Sequence, residues 1–453
     1  MQRSNQDMLR GPLLRNIILY TIPIILTSWL QLLFNAADLV VVGQANGSNS
    51  LAAVGATGAI TNLIVNLFIG LSVGAGVGVA HGLGSNDTEA VHRTIHTALP
   101  AAAVSGIFLT VIGVACSETF LRWMGTPENI LPMSTIYMQI YFGGMVFNMV
   151  YNFAASILRA AGDTKSPLLF LGLSGVINVL LNLMFVILFG MDVDGVALAT
   201  VISQAVSAVL VVVTLMRRTD ACHLELKKLC FYKPQLMKMI RIGLPAGLQG
   251  SLFSISNVMI QSSVNSFGDV VMSGNAAAGN IEGFVYVTQN AFHQTAVNFT
   301  GQNMGAHQYD RVKKILFTCL GCVTVAGLSV GLLAYSFGEP LLSIYITDSA
   351  EAISYGLIRM GMICIPYFLC GLMDVSTGAL RGMGASMAPM IISVLGVCGI
   401  RMAWIATVFQ IPEYHTPQCL YFSYTVSWVV TFLCQMVAFM IVFRKYRKRA
   451  ESL

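Results

Sequence analysis

The chain has 453 residues, of which 56% are hydrophobic and only 10% charged, with a formal net charge of +5. Soluble domains carry roughly 25% charged residues, so this composition excludes a disordered chain, a nucleic-acid-binding tail and an ordinary soluble enzyme. The 42 glycines and 24 methionines suit helices packed in lipid and surfaces that re-pack, which points to a membrane protein.

A helical span needs about 20 largely apolar residues. Twelve such segments occur in chain order, at roughly 14–43, 51–80, 94–116, 132–158, 167–190, 195–216, 239–266, 272–303, 314–337, 353–380, 388–410 and 418–443. The first twelve residues, MQRSNQDMLRGP, are polar, and no small-residue cleavage site follows, so no cleavable signal peptide is expected. The longest polar stretch, about 217–241, divides the spans six and six. The expected organisation is an N-lobe at 1–218, a cytoplasmic connection at 219–238 and a C-lobe at 239–453.

Of the 25 basic residues, all but Arg122, Arg359 and Arg401 lie in the termini or in connections after even-numbered spans, from Arg3 to Arg449. Cytoplasmic loops carry the excess of Lys and Arg, so both termini are placed in the cytoplasm and the span number is even.

The halves also repeat. RAAGDTKSP at 159–167 matches RGMGASMAP at 381–389, and TIP ending at Pro23 matches GLP ending at Pro245, both at an offset of 222. HGLGSNDTEAVHR at 81–93 matches GQNMGAHQYDRVK at 301–313, with Gly84 on Gly305. The expected fold is therefore an all-α polytopic membrane protein, with two six-helix lobes related by a pseudo-two-fold axis along the membrane normal.

An ionisable residue at the bilayer centre costs about 2.5–3.5 kcal/mol on insertion scales, so each needs a reason. Three acids fall deep in spans, Asp38, Glu282 and Asp374, against one deep base, Arg401. Arg359, near the outer end of its span, is expected to snorkel and is given no role. Gln31, Asn35 and Asp38 share one face of the first span, while Asn178, Asn182 and Thr200 stand on the fifth and sixth. Carboxylate, amide and hydroxyl oxygens together can hold Na⁺ or carry a proton, or can simply bond helices together. Glu282, Tyr286, Gln289 and His293 fall at i, i+4, i+7 and i+11, a face that lines a cavity or packs on a partner rather than meeting lipid. Arg401 is open to pairing with Asp374 or with Glu282.

Other patterns fail on context. The ten cysteines have no metal-ligand spacing and read as buried hydrophobes. GLSVG at 70–74 and at 327–331 lies inside apolar spans, so tight glycine packing is expected rather than a nucleophile elbow. His92 and His96 lack a third zinc ligand. No catalytic residues, cofactor or metal are expected, Na⁺ at Asp38 apart.

In its spans, its TIP and GLP openings, the segment FNAADLVVVG around Asp38, the GLGSND and GQNMGA turns and the paired Arg-x-x-Gly turns, the chain resembles the bacterial multidrug and toxic compound extrusion (MATE) family. The resemblance implies a monomeric efflux antiporter in the plasma membrane of a bacterium, in contact with lipid and not with nucleic acid. Its cargo would be small, bulky, amphipathic organic cations, exchanged for Na⁺ or H⁺. It also implies an N-lobe cation site, onto which Asp38, Asn178 and Thr200 fall; Asn182 stands where a second acid is often found. Members with a C-lobe sodium site carry a span-seven glutamate, and PAGLQGSLFSISN has no acid there. Rival readings are a lipid-linked precursor flippase, which needs a more basic cavity, an intramembrane enzyme, or a channel.

Overall fold

The computed structural model describes residues 7–347 and 349–451; Arg3, counted above for orientation, lies outside them. The elements are helical throughout. The first half contains α1 (Leu13–Asn46), α2 (Ser48–Gly84), α3 (Thr88–Trp123), α4 (Leu131–Gly143), α5 (Met145–Ala160), α6 (Lys165–Leu183) and α7 (Val193–Met216). The second contains α8 (Lys233–Asn265), α9 (Asp269–Gly305), α10 (Tyr309–Ser336), a short α11 (Gly338–Tyr345), α12 (Ala350–Ile363), α13 (Tyr367–Gly382), α14 (Met387–Ser393), α15 (Ile400–Ala406) and α16 (Pro417–Glu451). A π-helical turn continues α6 over Met184–Leu188, and another joins α14 to α15 over Val394–Gly399.

Eight helices are long and apolar enough to cross a membrane, or ten when the bent pairs α4–α5 (47°) and α12–α13 (44°) each count as one span. The remaining two expected spans are α8 and α9, 33 and 37 residues long. Their Ser, Asn, Gln and Glu side chains dilute the apolar signal, and several of them are buried against other helices. Twelve spans in the expected order result.

The repeat is written into the backbone as well as the letters. Left-handed residues recur at equivalent turns: Gly47 and Gly268 both have φ 87°, Asn86 and His307 have 54° and 55°, and Gly162 and Gly384 both have 85°. Glycine takes this conformation at little cost, and Asn and His tolerate it better than most residues.

By their contacts the described residues form two compact units, one of Leu26–Ser251 and one of Asp7–Ile25 with Leu252 onward. The divisions therefore fall inside α1 and α8, shortly after Pro23 and Pro245. A proline inside a helix removes one backbone hydrogen bond and bends the axis, so the two parts of each helix can pack on different neighbours.

Close glycine contacts run through both units. A Cβ on Gly70 would lie 2.2 Å from the Gly247 nitrogen, and one on Gly74 would lie 2.2 Å from the Met239 carbonyl oxygen. In the second unit a Cβ on Gly331 would meet the Cys364 carbonyl oxygen at 2.1 Å. These contacts place the GLSVG segments in helix packing. Apolar stripes point outward, such as Val104, Ile107, Phe108 and Val111 on α3 and Leu169, Leu173, Val176 and Leu180 on α6. Such faces suit lipid.

The connection after α7 is pinned onto the first unit. Arg218 bonds Asp220, and its Nη1 lies 3.8 Å from Asp163. His96 Nδ1 donates to the His92 carbonyl at 2.8 Å, leaving Nε2 to accept the Glu225 N–H at 3.1 Å. The Tyr232 N–H donates to Thr97 Oγ1 at 3.1 Å.

Candidate functional site

In the first unit α1, α6 and α7 bring Asp38, Asn178, Asn182 and Thr200 together. The Asn182 amide nitrogen donates to an Asp38 carboxylate oxygen and, at 3.3 Å, to Asn178 Oδ1. Asn178 Nδ2 donates to Thr200 Oγ1 at 3.4 Å, while that hydroxyl donates to the Val196 carbonyl at 3.0 Å. Thr200 also lies beside the Asp38 carboxylate. The i, i+4 spacing on α6 aims both asparagines at the same neighbour. Asn178 and Asn182 are buried, and Asn182 Oδ1 has no hydrogen-bond partner. A buried amide oxygen in that state costs about 1–3 kcal/mol.

Asn35 and Gln31, expected on the same face as Asp38, stand exposed and outside this bonded group. Seven residues of helix separate Gln31 from Asp38 by about 10 Å, beyond the reach of the α6 and α7 side chains that hold the carboxylate. Tyr137, which was not anticipated, lies near Asp38 and stacks with Tyr141 at 6.2 Å. Its i, i+4 aromatic spacing on α4 was the available signal.

The second unit corrects several expectations. Glu282 on α9 does not meet Arg401. It holds Arg359 on α12 by two bonds of 2.7 Å, Nε to Oε1 and Nη2 to Oε2. Arg359 Nη1 also donates to Asn275 Oδ1, which accepts the Tyr421 hydroxyl at 3.2 Å. Arg359 is 9% exposed, so it does not snorkel. The bend between α12 and α13 invalidates a depth reckoned along one straight helix.

Asp374 on α13 is buried and interacts electrostatically with Arg381, about two turns further along the same face. Arg381 is itself buried, although its position in the RGMG turn suggested a cytoplasmic base. His293 Nδ1 donates to the Asp374 carbonyl at 2.7 Å, which leaves Nε2 to accept from Arg381 Nη1 at 3.3 Å. That pattern fixes a neutral imidazole between the two helices.

Arg401 pairs with neither acid. Its Nε donates to Ser427 Oγ at 3.0 Å, and its guanidinium lies 3.9 Å from the Tyr424 ring centroid and 5.8 Å from that of Trp428. Gln289, expected to line a cavity, is wholly buried; Cβ atoms on Gly327 and Gly371 would come within 2.4 and 2.3 Å of its amide. It is wedged against two glycine-bearing helices. Tyr286 does reach a surface, at 41% exposure.

Duplicated six-span halves, lipid-suited outer faces and charges held deep in the helices define a polytopic membrane transporter. The MatE sequence model matches residues 23–184 and 245–406, two segments displaced by the same 222 residues as the internal repeat. The chain belongs to the MatE family of multidrug efflux transporters. It is 26% identical over 406 residues to "Probable multidrug resistance protein YpnP" of Bacillus subtilis, covering 88% of this chain and 89% of that one. A more distant relative, "FAD transporter" of Shewanella oneidensis, is 23% identical over 353 residues, 76% and 77% of the two chains. An outward-facing MATE transporter structure superposes with a TM-score of 0.90 at 20% identity, covering 99% of this chain and all of that one.

Proposed function

We propose that the protein is a secondary antiporter of the cell membrane that exports organic compounds in exchange for protons, and that Asp38 carries the proton. The observation supporting this is the bonding around Asp38. Asn182 presents its N–H to the carboxylate, and a donor aimed at the site disfavours a bound cation. The neighbouring Thr200 hydroxyl, already donating to Val196, offers lone pairs to a protonated carboxyl. The oxygens of Asp38, Asn178, Asn182 and Thr200 would be the ligands of Na⁺ if that ion were the exchange partner.

Proton binding at Asp38 changes the energy of one conformation relative to another, and that difference is what couples ion entry to cargo release. The expectation of cationic cargo came from the family resemblance, and the sequence alone placed three deep acids against one base. Buried Arg359 and Arg381 cancel that excess, so the charge balance no longer supports it. One relative is named for FAD, a dinucleotide with a pyrophosphate, which supports leaving an anionic cargo open.

The test uses proteoliposomes of the full chain with ethidium and fluorescein as probes, under imposed proton or sodium gradients. Efflux that follows the proton gradient and disappears in Asp38→Asn is expected. Efflux driven by sodium alone would contradict proton coupling, and undiminished exchange by Asp38→Asn would remove Asp38 from the mechanism.

A further inference from the structure

Among the charges buried in the described part of the second unit, three are guanidiniums and two are carboxylates: Arg359, Arg381 and Arg401 against Glu282 and Asp374. Glu282 is committed to Arg359, and Asp374 faces Arg381. Arg401 is left over. It is 3% exposed, and its neighbours are the neutral hydroxyl of Ser427 and the faces of Tyr424 and Trp428. A guanidinium cannot shed its proton at any physiological pH. Burying it without a counter-charge is strongly unfavourable, and an intramembrane charge in that state is a functional residue by default.

The surroundings of Arg401 are those of a binding site for a flat molecule. Aromatic rings run in sequence from the half-exposed Tyr286 towards the guanidinium. Tyr286 stands 6.4 Å from Tyr367, Tyr367 is 5.1 Å from Trp428, and Trp428 is 5.7 Å from Tyr424. Arg401 lies two residues beyond the π-helical turn at Val394–Gly399. Such turns break the regular ladder and gather at functional sites. Ring faces bind planar apolar groups, and an arginine fork matches carboxylate and phosphate oxygens.

We propose that Arg401, with Tyr424 and Trp428, forms a subsite for the negative group of an aromatic cargo, so that this transporter carries planar organic anions. The proposal rests on the transporter reading above and extends it to the charge of the cargo.

The experiment is equilibrium binding by fluorescence anisotropy to the purified full chain in detergent, with no ion gradient. Two xanthene dyes of similar ring size serve as probes, the anion fluorescein and the cation rhodamine 6G. The wild type is expected to bind fluorescein about tenfold more tightly than rhodamine 6G. Arg401→Gln removes that preference while leaving rhodamine 6G binding within about twofold, and Arg401→Lys, a point charge without the fork, retains part of it. A wild type that prefers rhodamine 6G would overturn the proposal. So would an Arg401→Gln variant that loses both dyes equally while its thermal unfolding midpoint is unchanged. If that variant does not fold, the wild-type preference and Arg401→Lys decide the matter. Because no gradient is present, a negative result here leaves proton exchange at Asp38 standing, and the failure of Asp38→Asn leaves this site standing.

Discussion

Asp38 and Glu282 are both acids on membrane helices, yet their surroundings assign them opposite parts. Asp38 is held by an amide donor and a hydroxyl, neutral groups that tolerate both protonation states. Glu282 is clamped by the Arg359 guanidinium through two bonds. Breaking a buried ion pair from one side costs about 3–5 kcal/mol, because the other charge is stranded. Glu282→Gln and Arg359→Met are each expected to lower the unfolding midpoint in detergent markedly, and the double variant less than the two effects combined. Additive losses would mean that the pair is not coupled. The sequence picked out Glu282, Asp374 and Arg401 as charged and deep, but it missed Arg359 and Arg381 and did not say which residues would meet. The partners Glu282 and Arg359 lie 77 residues apart, on α9 and α12. The bend between α12 and α13 falls beside Pro366, a signal that a single straight span overlooks. The Asp38 group was legible because a lone deep acid on the first span stood out, and Asn178 and Asn182 sit at helical spacing on α6 with Thr200 on the next helix.

At the scale of elements, two devices are open to test. Where helices touch through glycine, a methyl group has nowhere to go. Gly70→Ala is expected to force α2 and α8 apart and destabilise the protein by about 1–3 kcal/mol. Gly58→Ala, on the same helix with open space around it, should be neutral or slightly stabilising. Equal tolerance of both, measured by unfolding midpoint, would contradict the close packing. The second device is the connection after α7. Burial alone would push Asp220 up, but the bonded Arg218 guanidinium outweighs it and holds the carboxyl below the usual value. A depressed carboxyl contributes stability above its unfolded value that is lost only as pH falls through the folded one. The latch is therefore fully formed at neutral pH. Behind it the Cys222 thiol is buried, which pushes it up to about 12. Maleimide at pH 7.5 should label exposed Cys230 and spare Cys222, and Asp220→Ala should open Cys222 to the reagent. Equal labelling of Cys222 with and without Asp220 would show that the pair does not secure the loop. Spans and repeat were readable because hydropathy and paired turns report the same segmentation. The shared packing of α1 and α8 between units was not, because a proline bend marks a change of direction and not a change of neighbours.

For the whole molecule, the charge of the cargo sets how the cycle responds to voltage. Exporting a monovalent cation against one entering proton moves no net charge. Exporting a monovalent anion in the same exchange moves two charges in the favourable direction when the interior is negative. Each charge gains about 2.3 kcal/mol per 100 mV. Fluorescein efflux from proteoliposomes should therefore accelerate when a potassium diffusion potential makes the interior negative. A rate indifferent to that potential would contradict the combination of proton exchange with anionic cargo. Export itself is proposed to be driven by proton entry through Asp38, and proteoliposomes loaded with fluorescein or ethidium and given an inward proton gradient test it. Gradient-dependent dye efflux is expected in the wild type, and none above empty liposomes in a correctly folded Asp38→Asn variant. Gradient-driven efflux of wild-type rate in that variant would contradict it.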